Sequence, residues 1–311
     1  MTKSFDQIIE TLRKKSQPLP VERLPELSDL DPLQVDQLWS IWSEIEPQKR
    51  RTLLSELGKL SHLHFEYDFE RINRIAIDDE DAEVRRLAIE NLWECEDVTL
   101  SPKLLEVLQN DPEHPVRAAA ATALATFVYL CEVSDLDAGI MRQIEDALLN
   151  ATSNDQDTNV RLRSIEALGH SSRAEVPLLI QQTYDLGDDD HKKAALMAMG
   201  RSANMDWGAV IISEMHNTAP LLRAQAANSA GELELQESVD ELIDLLKDVN
   251  SDVRIAASWS LGQIGGSRAM QTLTDLLENT DDSDEADLIN EALDHAIFID
   301  STPDFAGTNT E

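Results

Sequence analysis

The segment Val160-Arg-Leu-Arg-Ser-Ile-Glu-Ala-Leu-Gly169 decides the fold, because its pattern recurs along the chain. An apolar residue is followed directly by a basic one. Small or apolar residues then stand four, seven and eight positions after the first apolar residue, often with glycine nine positions after it. The first three of these offsets lie on one face of an α-helix. Small residues on that face let a neighbouring helix approach closely. The pattern therefore predicts closely packed α-helices.

Eight copies of this pattern divide the chain into repeats. Their first residues, the anchors, are at positions 49, 84, 116, 160, 191, 222, 253 and 285, and the steps from 160 to 253 are each 31 residues. A second apolar segment precedes most anchors, as at residues 104–108 and 242–246. Each repeat is therefore predicted to be helix, turn, helix. Because one helix pair cannot bury its apolar face alone, the pairs are expected to stack into a continuous solenoid.

The chain resembles HEAT-repeat proteins, specifically the short-repeat class called phycobilisome-lyase HEAT-like repeats. The resemblance rests on the Val-Arg…Ala…Ala-Leu-Gly residues of the repeats and covers roughly residues 45–298. It implies an all-α, right-handed α-solenoid of about seven to eight HEAT-like helix pairs. Because the motif residues build the stack, the resemblance specifies the fold and says little about function.

Three regions are expected along the chain. Residues 1–32 are predicted to form an N-terminal helix and a linker, residues 33–300 the repeat solenoid, and residues 301–311 a flexible tail. The linker is inferred from four prolines, Pro18, Pro20, Pro25 and Pro32. The step from anchor 116 to anchor 160 holds 13 residues more than the regular step. These are expected around residues 129–138, as a lid, a contact loop or spare surface length.

The overall charge excludes several classes of partner. The chain has 60 acidic and 26 basic residues among 311, a net charge of −34. This balance disfavours nucleic acid and anionic membranes, both of which need Lys and Arg to neutralise phosphate. No apolar run approaches the 18 residues of a membrane span or forms a signal-peptide core. A cytoplasmic protein with reduced thiols is expected.

The charge is distributed unevenly. Residues 1–74 carry 11 basic and 13 acidic residues, a net −2, whereas residues 240–311 carry 3 basic and 17 acidic residues, a net −14. The acidic C-terminal quarter could attract a basic partner. A solvated surface that maintains solubility explains the same excess, as does adaptation to high salt, which the 9 Lys against 17 Arg would suit.

A basic residue follows most anchors, and it has two interpretations. The residues could form an anion-binding ladder, or each could pair with a nearby aspartate, such as Asp81, Asp111, Asp157 or Asp252, and join neighbouring repeats. Arg–carboxylate pairs suit the second role, which we favour. The residues concerned are Arg85, Arg117, Arg161, Lys192, Arg223 and Arg254.

No catalytic residue, metal or cofactor is predicted. The repeats also resemble those of deoxyhypusine hydroxylase, a family that holds iron with His-Glu pairs directly after the Val-Arg position. The matching pairs here, such as Leu162-Arg163 and Ala224-Gln225, contain no His-Glu. The sequence has no Cys/His cluster with zinc spacing, no phosphate-binding glycine loop and no nucleophile elbow. Cys95 and Cys131 could form a redox pair or carry a bilin, but small buried hydrophobes are favoured.

The second helices of the repeats are expected to line a concave face. The side chains two, three, six and ten residues after each anchor should point away from the core. Apolar residues beside arginine at such positions are typical of protein-binding surfaces, although packing under a neighbouring repeat or ordinary solvation are the alternatives. The candidate partner-binding residues are Arg163, Glu166, His170, Lys193, Met197, Arg201, Gln225, Asn228 and Trp259.

The sequence therefore favours a non-catalytic adaptor or scaffold. It would hold a protein or peptide, with or without a basic segment, on the concave face of the solenoid. The resemblance implies one alternative, a phycobilin-lyase-type chromophore-handling subunit. A HEAT-like DNA-base glycosylase is disfavoured because that family needs a positive groove. Partner identity and oligomeric state are not predicted by the sequence.

Overall fold

The computed structural model describes residues 2–14, 17–134 and 138–301. Within these ranges the regular structure is entirely helical, without a β-strand. The chain divides into two compact units, Met1–Ala167 and Leu168–Glu311. The predicted tail, apart from Ser301, lies outside the described residues.

The helices follow one another with short connections. The first unit contains α1 (Thr2–Arg13), α2 (Pro32–Trp42), α3 (Pro47–Leu63), α4 (Glu70–Ala76), α5 (Ala82–Glu90), α6 (Ser101–Asn110), α7 (His114–Val133), α8 (Ala138–Asn154) and α9 (Thr158–Leu168), whose last residue begins the second unit. The second unit contains α10 (Val176–Asp185), α11 (Asp189–Arg201), α12 (Gly208–Glu214), α13 (Pro220–Glu232), α14 (Val239–Leu245), α15 (Ser251–Ile264), α16 (Gly266–Glu278) and α17 (Ser283–Ser301). Short 3₁₀ helices span Val21–Leu27, Val98–Leu100, Met205–Trp207 and Gln236–Ser238.

Each anchor lies in the second helix of a consecutive pair, from α2/α3 to α16/α17. The all-α class and the expected number of helix pairs are therefore confirmed over the described ranges. In the first unit α3 packs on α5, and α5 packs on α7. In the second unit α11, α13, α15 and α17 pack successively on one another. This nearest-neighbour stacking is the arrangement of an α-solenoid.

Small residues allow the second helices to approach closely. A Cβ atom added to Gly262 of α15 would lie 2.7 Å from the carbonyl oxygen of Ala292 in α17. In α13 and α15, a serine seven residues after the anchor bonds the preceding second helix. Ser229 Oγ of α13 donates to the Leu196 carbonyl of α11 at 2.8 Å, and Ser260 Oγ of α15 donates to the Ala227 carbonyl at 2.7 Å.

The turn inside a repeat is built around an aspartate with three interactions. At Asp111, Oδ1 accepts a hydrogen bond from the Glu113 backbone N–H at 3.0 Å, which closes the turn. Its carbonyl oxygen accepts from Arg117 Nη1 of the same repeat at 2.9 Å. Its carboxylate accepts two bonds, 2.8 and 2.9 Å long, from Arg85 of the preceding repeat. The turn aspartate is therefore contacted by the basic residue of its own repeat and by that of the preceding repeat.

The same turn recurs at Asp155 and Asp248. Arg117 donates twice to Asp155 at 2.9 Å, and Arg223 donates twice to Asp248 at 2.7 and 2.8 Å. The carbonyl oxygens accept from Arg161 at 2.9 Å and from Arg254 at 3.1 Å. These pairs confirm the interpretation that the basic residues join neighbouring repeats.

Three of the expected aspartate partners need correction, whereas Asp111 is confirmed. The acids that pair across repeats are Asp155 and Asp248, not Asp157 and Asp252, because the carboxylate at the first turn position faces the preceding repeat. Asp81 pairs instead with Arg51, at 2.6 Å.

The turns before anchors 191, 222 and 285 lack this aspartate, because its position is occupied by Leu186, Asn217 and Thr280. At Asn217, Lys192 of the preceding repeat pairs instead with Glu214 at 2.8 Å.

Acid should weaken these turns. The hydrogen bonds from Arg117 and Arg223 hold the pKa values of Asp155 and Asp248 below their usual range. A carboxyl whose pKa is lowered on folding stabilises the protein above its unfolded pKa of about 4, and this contribution is lost as pH falls through the lowered value. We expect Asp248→Asn to be less stable than wild type at neutral pH, by a difference that shrinks as the pH falls below the ordinary carboxyl pKa of about 4. Thermal unfolding at several pH values tests this, and a pH-independent difference would contradict it.

The linker and the extra residues are more ordered than the sequence suggested. Within the linker, the 3₁₀ helix Val21–Leu27 buries Leu24 and Leu27 and packs against α1 and α3. The extra residues mostly lengthen helices, since α7 continues to Val133 and α8 begins at Ala138. The expectation of an inserted loop over 129–138 is therefore wrong for its helical part, and residues 135–137 lie outside the described residues.

One described helix, α7, is long and apolar enough to cross a membrane by length and composition. Its apolar stretch is interrupted by Arg117 and two threonines, so it contains no continuous apolar run of 18 residues. The helix packs against α5, α6 and α8, and Ala120, Leu124, Phe127 and Val128 are buried within the first unit. These apolar residues of α7 therefore serve helix packing within the first unit.

Candidate protein-binding groove

Helix α15 separates core residues from exposed residues on opposite faces. Val253, Ala257 and Leu261, at offsets zero, four and eight, are fully buried. Ile255 and Trp259, at offsets two and six, lie one turn apart on the other face and are 41% and 39% exposed. Two large apolar side chains are thus left accessible by the same helical period that builds the stack.

These side chains form part of a groove in the second unit, referred to below as the apolar groove. It has a volume of about 430 Å³ and lies along α13, α15 and α17. Its apolar surface comes from Ile255 and Trp259 of α15 and from Leu288 of α17, which is also exposed. The complete lining is Asn228, Asp252, Ile255, Ala256, Trp259, Gln263, Leu288, Glu291, Ala292 and His295.

The charged side chains in the apolar groove are acidic. Asp252 and Glu291 are exposed carboxylates, and the described lining contains no Lys or Arg. His295 Nδ1 lies 3.2 Å from the Gly262 carbonyl oxygen, which holds the imidazole against α15. The groove can therefore take up an apolar side chain and attract a positively charged group beside it.

The predicted site residues occupy several different places. Asn228 and Trp259 line the apolar groove. Lys193, Met197 and Arg201 lie half-buried on α11, and His170 is half-buried after α9; these four are outside the groove lining.

The expectation that Gln225 is accessible is wrong. Gln225 is buried, and its Nε2 donates to Ser229 Oγ at 3.3 Å. Ser229 in turn bonds α11, so this side of α13 faces the preceding helix. Ala194 and Ala256, each three residues after its anchor, as Gln225 is, are also buried.

Glu166 is likewise buried, although the sequence places it on the exposed face. Its carboxylate accepts a hydrogen bond from Arg163 Nη1 at 2.6 Å, and this partner compensates for its burial. Arg163 is half-buried and engaged in this pair. Both residues belong to the first unit, whereas Asn228 and Trp259 belong to the second.

Sequence reasoning missed the contribution of α17 to the groove. Leu288, Glu291 and His295 are at offsets three, six and ten from the anchor at 285. The signal was present, but this copy of the pattern is degenerate because its anchor, Glu285, is acidic. Applying the same offsets to the last repeat would have identified all three residues.

The first unit has a polar groove at equivalent offsets. It has a volume of about 520 Å³, lies along α3 and α5, and is lined by Gln48, Arg51, Thr52, Ser55, Glu83, Arg86 and Leu87. Its cations are already paired, Arg51 with Asp81 and Arg86 with Glu83, each at 2.6 Å. The repeat offsets therefore place a groove in each unit, but only the second is apolar.

The described residues include the two cysteines of the chain but no cluster of metal ligands. They contain no group of three or more His, Cys, Asp or Glu side chains placed to hold a metal ion. Cys95 is buried and Cys131 is half-buried, and both are free thiols. Burial raises the pKa of each thiol, which lowers its thiolate fraction at neutral pH.

Comparison with known proteins identifies the repeats. The family model of HEAT repeats matches residues 70–137 and 208–294. A comparison with curated protein sequences gives no significant match.

Several solved structures are similar in fold. Yeast importin-β (Kap95p) is 13% identical, with a TM-score of 0.52 over 95% of this chain and 46% of that protein, so this chain spans less than half of it. The CpcE–CpcF complex of phycocyanin lyase from Nostoc sp. PCC7120 is 20% identical, with a TM-score of 0.48 over 73% of this chain and 94% of that chain. Human deoxyhypusine hydroxylase is 17% identical, with a TM-score of 0.36 over 96% of both chains. At these identities the importin-β likeness supports the fold alone.

Proposed function

Because residues 70–137 and 208–294 match the family model of HEAT repeats, we propose that this chain is a non-catalytic adaptor or scaffold that binds a protein segment in the apolar groove. The observation that carries the proposal is the exposed pair Ile255 and Trp259 in a groove bordered by carboxylates. Tryptophan is enriched among the residues that dominate protein–protein binding energy. A stacked array of repeats presents such a surface on a rigid support.

The chemistry of the apolar groove defines the segment it would bind. A large apolar side chain would pack against Trp259 and Leu288, and a flanking Lys or Arg would approach Asp252 or Glu291. The net charge of −14 over residues 240–311 would accelerate encounter with a basic segment. A cytoplasmic location belongs to the proposal and is supported by the two free thiols.

Peptide selection tests this proposal without a known partner. We expect peptides selected from a random display library against the full-length protein to carry an aromatic or large aliphatic residue flanked by Lys or Arg. Trp259→Ala should weaken their binding by about 30-fold, the effect of a residue central to an interface. Fluorescence anisotropy with a labelled peptide measures the affinity.

The matched control is Trp39→Ala, because Trp39 is similarly exposed but lies in the first unit. This variant should retain wild-type affinity. Selected peptides that are acidic, or that bind Trp259→Ala as tightly as wild type, would contradict the proposal.

The chromophore-handling alternative can be separated from the adaptor function. A bilin thioether requires a reactive thiol, and burial raises the pKa values of both Cys95 and Cys131. We therefore expect no bilin adduct on the thiols of this chain, and the adaptor function predicts no coloured product when the protein is incubated with bilin and a phycobiliprotein acceptor. Formation of an adduct would favour the lyase-type function over the adaptor.

A further inference from the structure

A second candidate site lies in the first unit, in the connection between α3 and α4. Residues 65–70 read Phe-Glu-Tyr-Asp-Phe-Glu, so aromatic and acidic side chains alternate. Phe69 is buried and supports Tyr67, whose ring centroid lies 6.1 Å away. Phe65 is 85% exposed, an unusual degree for an aromatic side chain.

The turn after α5 contributes another aromatic side chain to this region. Trp93 is 46% exposed and stacks on His62, with 5.1 Å between ring centroids. Residues of both segments line a cavity of about 210 Å³, referred to below as the aromatic–acidic cavity. Its exposed or half-buried aromatic and acidic lining residues are Phe65, Tyr67, Trp93, Asp68, Glu70 and Glu94.

Among the described residues, the lining of the aromatic–acidic cavity contains three carboxylates and no Lys or Arg, and Arg74 pairs with one of them, Glu70, from outside the lining. Asp68 Oδ1 accepts from the Glu70 backbone N–H, and Glu70 accepts from Arg74 Nε, each at 2.7 Å. Glu94 is exposed, and within the described part of the chain it has no hydrogen bond or ion pair. Aromatic faces add negative potential to that of the carboxylates. Both kinds of side chain therefore attract a cation.

We propose that the aromatic–acidic cavity binds the guanidinium group of an arginine side chain presented by a partner protein. Guanidinium is planar and stacks on aromatic rings, and it donates several N–H groups to carboxylates. A quaternary ammonium has no N–H to donate, and lysine has no flat face to stack. The volume suits one side chain rather than a cofactor, since cofactor sites are about 300–1,000 Å³. The inference is independent of the proposed function, which concerns the second unit.

The test uses the full-length protein with ¹⁵N-labelled tryptophan and N-acetyl-arginine amide as the probe. We expect the indole N–H signal of Trp93 to shift saturably, with half-saturation at about 1–10 mM. N-acetyl-citrulline amide has nearly the same shape but no charge, and it should produce less than about one tenth of the shift. Trp207, which is buried in the second unit, should not respond.

Glu94→Gln removes one charge from the aromatic–acidic cavity without removing a bond within the described protein. It should weaken arginine binding by about three- to tenfold. Glu96→Gln is the matched control, because Glu96 is exposed nearby but does not line the cavity, and it should bind like wild type.

Three results would overturn the proposal. They are an absence of any Trp93 shift, an equal response to the citrulline probe, and tighter binding of a trimethyl-lysine derivative than of arginine.

Discussion

Replacing Gly262 with valine is expected to destabilise the protein by about 3 kcal/mol, because it forces two packed helices apart. The new Cβ would lie 2.7 Å from the carbonyl oxygen and 2.9 Å from the Cα of Ala292. These are backbone atoms of α17, so no side chain can rotate to relieve the clash. The two methyl groups of valine add to it, and α15 must move away from its neighbour.

Urea unfolding followed by circular dichroism measures this effect. Ala209→Val is the control, because Ala209 is exposed in α12 of the same unit and gains similar bulk without a clash. It should cost less than about 1 kcal/mol, which reflects helix propensity. Equal losses in the two variants would show that the close contact between α15 and α17 does not limit stability.

Arg223→Met should also be strongly destabilising, by about 3 kcal/mol. Arg223 donates two hydrogen bonds to Asp248 and one each to the carbonyl oxygens of Asn217 and Thr218. The Arg223 and Asp248 side chains are mostly shielded from water. Methionine preserves much of the packing volume but leaves the Asp248 carboxylate without its cation. Removing one member of a shielded pair costs more than the pair contributes over apolar residues.

The control for this prediction is another arginine of the second unit. Arg268 pairs with Asp240 at 2.6 Å, but both side chains are 66% exposed. Arg268→Met should therefore cost less than about 1 kcal/mol. In addition, Arg223→Met combined with Asp248→Asn should be less destabilised than the sum of the two single variants. Equal effects at Arg223 and Arg268 would contradict the structural role of the turn.

The repeat pattern was sufficient to predict the fold. Contacts between successive second helices require small and apolar residues at fixed offsets, and these offsets are visible in a single sequence. The partners of the arginines were harder to predict, because each turn contains several acids. Only the turn geometry distinguishes Asp155 from Asp157 and Asp248 from Asp252.

The candidate sites were predicted less completely than the fold. The helical offsets correctly indicated that Trp259 is exposed, but they also selected Gln225 and Glu166, which are buried. Whether a helix flank is covered depends on the neighbouring helix, and the pattern of one helix does not contain that information. The aromatic–acidic cavity was missed for a related reason, since Phe65 and Trp93 belong to different segments that only the fold brings together.

The three-way turn has a consequence for how such a chain can change in length. Each turn aspartate is held through its carbonyl oxygen by its own repeat and through its carboxylate by the preceding one. Duplicating or excising residues 111–154, which carry the turn aspartate Asp111 and the arginine Arg117, would place an arginine beside a turn aspartate again at the new junction. A deletion that separated Arg85 or Arg117 from any aspartate would leave a shielded charge without a counterion. This part of the chain can therefore grow or shrink by one whole repeat without losing its internal neutralisation.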